Sequence, residues 1–369
     1  MPSSLRRDIG QLLIGSLPAT TIPAELRSLA REFQLGGITL FARNIEAPEQ
    51  VAELTHDLQS LSTGLPLWMA VDQAGGRVAR LRSPFTEWPP MAVLGRSGDA
   101  DLAYRFAAAL ALELKAVGIS LDYAPVLDIH TNSRNPVIGD RALAETAEEV
   151  ARLGAAIVRG LQENGVAACG KHFPGHGDTS VDSHFDLPVV EHPPDRLRRV
   201  EFVPFREAIR AGVATIMTAH ILVPSLDEEK PATLSRRVVY DLLRDELNFE
   251  GVILSDDLEM KALARSYSVP EAAVEAIVAG CDGVLICRAL SEDRGRDIEV
   301  QAATLEALVY AVEDGRIPYK RVEDALARQR RAKERFLTAS VAPGRAASLR
   351  RIVGCDAHLR IAEEMSRFL

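Results

Sequence analysis

Eight short apolar runs bounded by turn residues recur along the chain, at residues 11–14, 37–41, 67–72, 119–123, 166–170, 214–218, 252–255 and 284–287. Several are β-branched, and most are continuously apolar rather than alternating, which is the pattern of strands buried on both faces of a parallel sheet. Between them lie stretches with helical spacing. Val150, Leu153, Ile157 and Leu161 repeat at helical intervals and stop at Asn164-Gly165. Residues 271–279 follow Pro270 and end at Gly280, and Leu305, Leu308, Val309 and Val312 are closed off by Gly315. Strands alternating with helices require crossovers, and eight such units predict an α/β fold, a closed (β/α)8 TIM-type barrel. The spacing of the runs widens from about 30 to about 50 residues after the third, fourth and fifth, leaving room for long loops on one face.

An open dinucleotide-binding sheet is the competing architecture. Gly75-Gly76 and Gly175-x-Gly177 follow apolar runs, but neither gives G-x-G-x-x-G opening a helix, and Pro174 disturbs the second. Residues 320–337 read as a helix whose close-set Arg328, Arg330, Arg331, Lys333 and Arg335, interleaved with acids, suit a solvated face. Residues 340–344 read as a linker and 357–368 as a last helix, a C-terminal helical extension of the barrel. The formal charge of -9 argues against a nucleic-acid partner, which calls for a basic footprint. No stretch approaches the length of an ordinary membrane span. The apolar stretch near the N-terminus is too short for a signal-peptide core, and the four cysteines show no C-x-x-C pair. Buried, reduced thiols and a cytoplasmic setting are therefore expected. The sequence carries no signal of oligomeric state.

In a barrel, chemistry sits at the C-terminal ends of strands. Polar residues collect there: Asp72, Asp122 and Asp128, Lys171 and His172, His220, and Asp256-Asp257. Charged groups ending apolar runs are costly to bury unless paired or functional. The densest segment, KHFPGHGDTSVDSHFDLP at 171–188, holds His172, His176 and His184 interleaved with Asp178, Asp182 and Asp186. A metal site is the competing reading of this pattern, since His and carboxylate are zinc ligands. His172 and His176 are separated by Pro174 and Gly175, so they do not share a helix face as in H-E-x-x-H, and no metal or cofactor is expected.

These segments resemble glycoside hydrolase family 3, and within it the bacterial β-N-acetylglucosaminidases of peptidoglycan recycling. The resemblance runs in order through GQLLIGSLP, LWMAVDQAGGRVARL, LDYAPVLDIHTNSRNPVIGDRA, KHFPGHGDTSVDSHFDLP, GVILSDDLEM and AGCDGVLIC. It implies a catalytic barrel over 1–338, with 339–369 as linker and C-terminal helix and no second α/β domain. It also implies a small carbohydrate substrate, terminal β-linked N-acetylglucosamine on muropeptide fragments. By the same resemblance Asp256 is the nucleophile, His184 the acid/base and Asp182 its partner. Asp72, Arg80, Arg141, Lys171 and His172 hold the sugar. Spacing alone does not separate Asp256 from Asp257.

The chemistry suits these roles. A retaining glycosidase needs a nucleophile on one face of the ring and a proton donor at the leaving oxygen. An imidazole titrates near neutrality and serves both half-reactions, and a neighbouring carboxylate fixes its tautomer. Larger relatives draw an acid/base Glu from a second domain, whereas here the D-S-H segment supplies the donor. Phosphorolysis is a second reading, since a His/Asp donor repels phosphate less than a carboxylate does. A non-catalytic sugar-binding barrel is a third, suggested by Ala74, which stands where the family usually has Glu in Asp-Gln-Glu-Gly-Gly. The family's Glu is read as an anion that pairs with Arg77 and Arg80 and holds Asp72 in place; the alternative is that the turn points position 74 outward, where Ala is neutral.

Overall fold

The apolar runs become strands β1 (Leu13–Ser16), β2 (Gly37–Leu40), β3 (Trp68–Val71), β4 (Leu121–Asp122), β5 (Ala167–Phe173), β6 (Thr215–Thr218), β7 (Val252–Asp257) and β8 (Gly283–Leu285). In the computed structural model, which describes residues 3–179, 187–287, 297–337 and 346–369, they form one closed parallel barrel in chain order. β8 closes on β1 through the pairs Leu13–Val284 and Ile14–Leu285. The continuous apolar runs follow from burial on both faces. In β3, Trp68 and Ala70 point inward to meet Ile14, Leu121, Ala167 and Leu254. Met69 and Val71 point outward into the layer between sheet and helices.

The first strand lies two residues later than the 11–14 run, because Gln11 turns aside and its amide donates to the carbonyls of Gln34 and Leu35. The helices fall where spacing puts them: Ala147–Glu163, Val269–Ala279, Asp297–Glu313, Tyr319–Phe336 and Asp356–Ser366. Ser268 caps the second of these by accepting the Glu271 N–H. The 340–344 linker lies outside the described residues.

One expectation is corrected. The basic run in Tyr319–Phe336 is not uniformly solvated, since its inward positions are Val322, Ala325, Gln329 and Lys333. This helix covers the N-terminal mouth of the barrel. Gln329 Oε1 accepts Trp68 Nε1–H at 2.9 Å, and Lys333 Nζ donates to Gln11 Oε1 and Gly36 O, both at 2.8 Å. Arg328 pairs at 3.3 Å with Asp282, which is fully buried and also bound by Arg244 and Arg321. With that end closed, the open mouth is the C-terminal one.

Candidate active site

Two strands carry irregularities where chemistry is expected. The β5–β6 register shifts between Gly170 and Phe173, and the β7–β8 register shifts between Leu254 and Asp257. Such breaks in a ladder re-aim side chains. Here they fall on Lys171-His172 and on Asp256, and all three side chains line a cavity of about 140 Å3 at the C-terminal mouth.

Asp72 follows β3. Its Oδ1 accepts from Lys171 Nζ at 2.6 Å and its Oδ2 lies 3.6 Å from an Arg80 terminal nitrogen. Burial alone would raise its pKa, but the charges of Lys171, Arg141 and Arg80 outweigh that and hold it at about 2. Asp72 is therefore ionised at neutral pH, with cations on two sides. The hairpin that brings Arg80 back is folded around Gln73. Its side-chain oxygen accepts the N–H groups of Arg80 and Leu81 at 2.6 and 3.0 Å, and its amide donates to Leu81 O at 3.0 Å. The Gln73 N–H is taken by Asp122 Oδ1 at 3.0 Å. Burial pushes the Asp122 carboxyl well above the usual carboxylate range.

Arg141 ends the turn Gly139–Arg141, where its guanidinium lies 3.4 Å from Val137 O. Asn135 ties this loop down by accepting the N–H groups of Val137 and Ile138 and donating to the carbonyls of His176 and Gly177. Among the described residues, Nε of Arg80 and Nε of Arg141 are buried with no hydrogen-bond partner. Both guanidinium groups line the cavity.

Asp128 organises the histidines. It accepts His172 Nδ1 at 2.7 Å and the His176 N–H at 2.6 Å. Burial opposes its ionisation, but the neighbouring His172 and the hydrogen bonds bring its carboxyl below the usual range. Burial lowers His176 to about 4, so it is neutral at pH 7, and its Nδ1 lies 2.8 Å from Thr179 Oγ1. Among the described residues no group of three or more His, Cys, Asp or Glu side chains is placed to hold a metal ion.

The geometry distinguishes the adjacent aspartates. Asp257 is buried, and its Oδ1 accepts the N–H groups of Cys287 at 3.1 Å and Glu259 at 3.2 Å. Asp256 is half-buried, faces the cavity, and accepts the Asp257 N–H through Oδ1 at 2.8 Å. Both aspartates line the cavity, but the less buried carboxylate can reach an electrophilic carbon, whereas the one that accepts two further backbone N–H groups serves the turn.

The structure thus brings Asp72, Arg80, Arg141, Lys171, His172 and Asp256 to one cavity. His220 does not line it; its Nε2 instead lies 3.0 Å from Asp257 O. Asp182 and His184 lie outside the described residues. Asp128 is among the strand-end acids that the sequence offers, though with no role attached, and Gln73 and Phe41 are not among its candidate site residues. Phe41 forms a wall of the cavity with Arg43 stacked at 4.5 Å and Arg80 at 5.7 Å from its ring. An aromatic side chain ending the 37–41 run was the available signal. Ala74 is only 3% exposed and its N–H bonds Val78 O at 2.9 Å, so the outward-facing orientation of position 74 does not hold.

A closed parallel barrel with carboxylates, one of them held ionised, and cationic donors converging at its C-terminal mouth has the layout of a barrel enzyme. The chain belongs to glycosyl hydrolase family 3: residues 4–332 match the Glycosyl hydrolase family 3 N terminal domain. It is 35% identical over 369 residues to beta-hexosaminidase A of Pseudoalteromonas piscicida, covering 94% of this chain and 60% of that protein. It is 41% identical over 286 residues to the beta-hexosaminidase of Nitrosomonas eutropha, covering 76% of this chain and 81% of the relative. Among solved structures, a family 3 β-N-acetylglucosaminidase from Paenibacillus sp. superposes with a TM-score of 0.92 at 42% identity, over 99% of this chain and 68% of its own. NagZ from Neisseria gonorrhoeae in complex with N-trifluoroacetyl-D-glucosamine superposes with a TM-score of 0.77 at 32% identity, over 97% of each chain. No helix among the described residues is long and apolar enough to cross a membrane.

Proposed function

We propose that this chain is an exo-acting, retaining β-N-acetylglucosaminidase acting on muropeptide fragments in the cytoplasm, with 1–338 as its catalytic unit and 339–369 as linker and C-terminal helix. The observation that carries this reading is the cavity itself, in which half-buried Asp256 faces the ionised Asp72 with its Lys171, Arg80 and Arg141 partners. Relatives named for hexosaminidase activity and a structural neighbour holding an N-acylated glucosamine support it.

In this mechanism Asp72 and Lys171 bind ring hydroxyls, groups that reward charged, directional partners. Arg80, Arg141 and His172 complete the cradle, and the bond from His172 Nδ1 to Asp128 leaves Nε2 as the ring's other polar atom. The Asp256 carboxylate attacks the anomeric carbon as the glycosidic C–O bond breaks. His184, oriented by Asp182, gives its proton to the departing oxygen. Water then attacks the anomeric carbon of the glycosyl-Asp256 ester, His184 takes the water proton, and the C1–O bond breaks to release the Asp256 carboxylate.

Aryl β-glycosides of N-acetylglucosamine, glucose and xylose, assayed side by side, test the substrate. Turnover of the first far above the other two is expected, with β-configured sugar as the first product by NMR. Preference for glucose or xylose rejects the substrate, α-configured product rejects the covalent route, and sugar 1-phosphate formed in phosphate buffer replaces hydrolysis with phosphorolysis.

A further inference from the structure

The C-terminal segment is fastened to the loop behind the sugar-binding hairpin through one buried carboxylate. Glu113, in the helix Ala100–Ala116, is 2% exposed on a face otherwise made of Phe106, Leu110 and Leu114. A carboxylate there is costly unless its oxygens are satisfied. Its Oε2 accepts the Thr86 N–H at 3.0 Å. Its Oε1 accepts Thr86 Oγ1–H at 2.6 Å, the Gly354 N–H at 2.9 Å and His358 Nδ1–H at 2.8 Å. Every one of these donors belongs either to the loop after β3 or to the C-terminal segment.

The contacts continue in both directions. From Thr86 the chain runs to Trp88, whose ring meets Phe106 edge-on at 5.1 Å and whose carbonyl accepts the Gly76 N–H at 2.8 Å. Gly76 sits within the hairpin that Gln73 folds and that presents Arg80 beside Asp72. On the other side, Gly354 has φ +60° and lies so close to the loop that a Cβ would be 2.1 Å from Pro84 O. The helix Asp356–Ser366 is held down further by Glu364, which pairs with both terminal nitrogens of Arg105 at 2.9 Å, and Arg96 binds the Phe368 carbonyl.

We propose that the C-terminal segment positions the sugar-binding hairpin: His358 and Glu113 act through Thr86 and Trp88 to fix the register of Asp72 and Arg80. The proposal rests on the reading that Asp72 and Arg80 hold the sugar. His358 and Glu113 are positioning residues and touch no substrate. A hairpin released at its back loses preorganisation, and loosely held binding groups weaken substrate binding before they alter the chemical step.

The test compares His358→Ala, His358→Asn and Thr86→Val with the parent enzyme. An asparagine amide can place an N–H where Nδ1–H stood, and Thr86→Val keeps shape while deleting one bond to Glu113. Readouts are hydrogen exchange over residues 73–90, KM and kcat on an aryl N-acetylglucosaminide, and Tm. In His358→Ala, exchange over 73–90 should rise while that over 250–257 does not, and KM should rise on the order of tenfold with kcat within about twofold. His358→Asn should restore both, and Thr86→Val should move them in the same direction by less. If Tm falls while exchange over 73–90 and KM stay at parent values, the clasp is merely structural and the proposal is overturned. If His358→Ala does not fold, Thr86→Val decides by the same criteria. Asp72→Ala is the reference: should it leave KM unchanged, the sugar-binding reading fails, and the exchange data alone decide the coupling.

Discussion

Lys171 Nζ lies 2.6 Å from Asp72 Oδ1, joining the bulged end of β5 to the residue after β3 across the barrel mouth. The ammonium is 2% exposed and spends its charge on this carboxylate. Lys171→Met removes the strongest attraction holding Asp72 at about 2, leaving Arg141 and Arg80 to oppose burial. The Asp72 carboxyl then titrates at higher pH. Since the ionised form accepts from sugar hydroxyls, the acid limb of kcat/KM should move upward in pH, with the plateau falling as well. A pH–rate profile checks this; a lower plateau with an unmoved acid limb would show that Asp72 ionisation is not what Lys171 secures.

Asp256→Ala should abolish turnover with Tm near that of the parent, because its carboxylate is the less buried of the two aspartates that line the cavity. Asp257→Ala should retain measurable chemistry but lose stability. It strands the Cys287 and Glu259 N–H groups, and an unpaired buried donor costs about 1–3 kcal/mol. Turnover and thermal melts on both variants decide the matter. An inactive Asp257 variant beside an active Asp256 variant would move the nucleophile by one residue.

His184→Ala should slow substrates with poor leaving groups far more than nitrophenyl-type ones, whose departure needs little protonation. The general-acid contribution at stake is on the order of 10²–10⁴-fold. Asp182→Ala should give a weaker version and shift the pH profile, since the imidazolium loses its partner. A leaving-group series yields the slope directly, and equal losses across the series would remove His184 from the acid role.

The barrel was legible because strands buried on both faces write themselves as apolar runs, and each helix carried its own spacing and stop. The site was legible as charge at the ends of those runs. Less visible was what holds the charges in place. Gln73 looks like one more loop residue until its side chain is seen to take two N–H groups of the returning hairpin. Asp128 reads as another strand-end acid, whereas its carboxylate fastens His172 and His176. Both roles depend on contacts between distant or folded-back segments, which periodicity does not record. Spacing likewise does not separate Asp256 from Asp257; their unlike surroundings accompany the β7–β8 register shift, a property of the paired strands rather than of either one.

Lys333 gives the last prediction, and it concerns stability. Its side chain is 1% exposed under the barrel, and burial brings its pKa down to about 7. In the unfolded chain a lysine titrates near ~10.4. Below pH 7 both states carry the proton and the cost of burying the charge is felt in full. Between about 7 and about 10 the unfolded chain holds the extra proton, so this residue's contribution to stability rises with pH across that window, by at most ~1.4 kcal/mol per pH unit. Lys333→Met removes the titration and leaves Gln11 Oε1 without this donor, while Gly36 O keeps the Trp68 N–H at 3.0 Å. The parent should therefore gain on the variant as pH rises from 7 to 9.5, whatever the sign of their difference at pH 7. Denaturant unfolding of both proteins at several pH values measures that difference directly, and other titrating groups cancel in the subtraction. A difference that stays flat across the window would mean the buried amine keeps its ordinary pKa, and the hydrogen bonds to Gln11 and Gly36 would then be holding a full charge beneath the barrel.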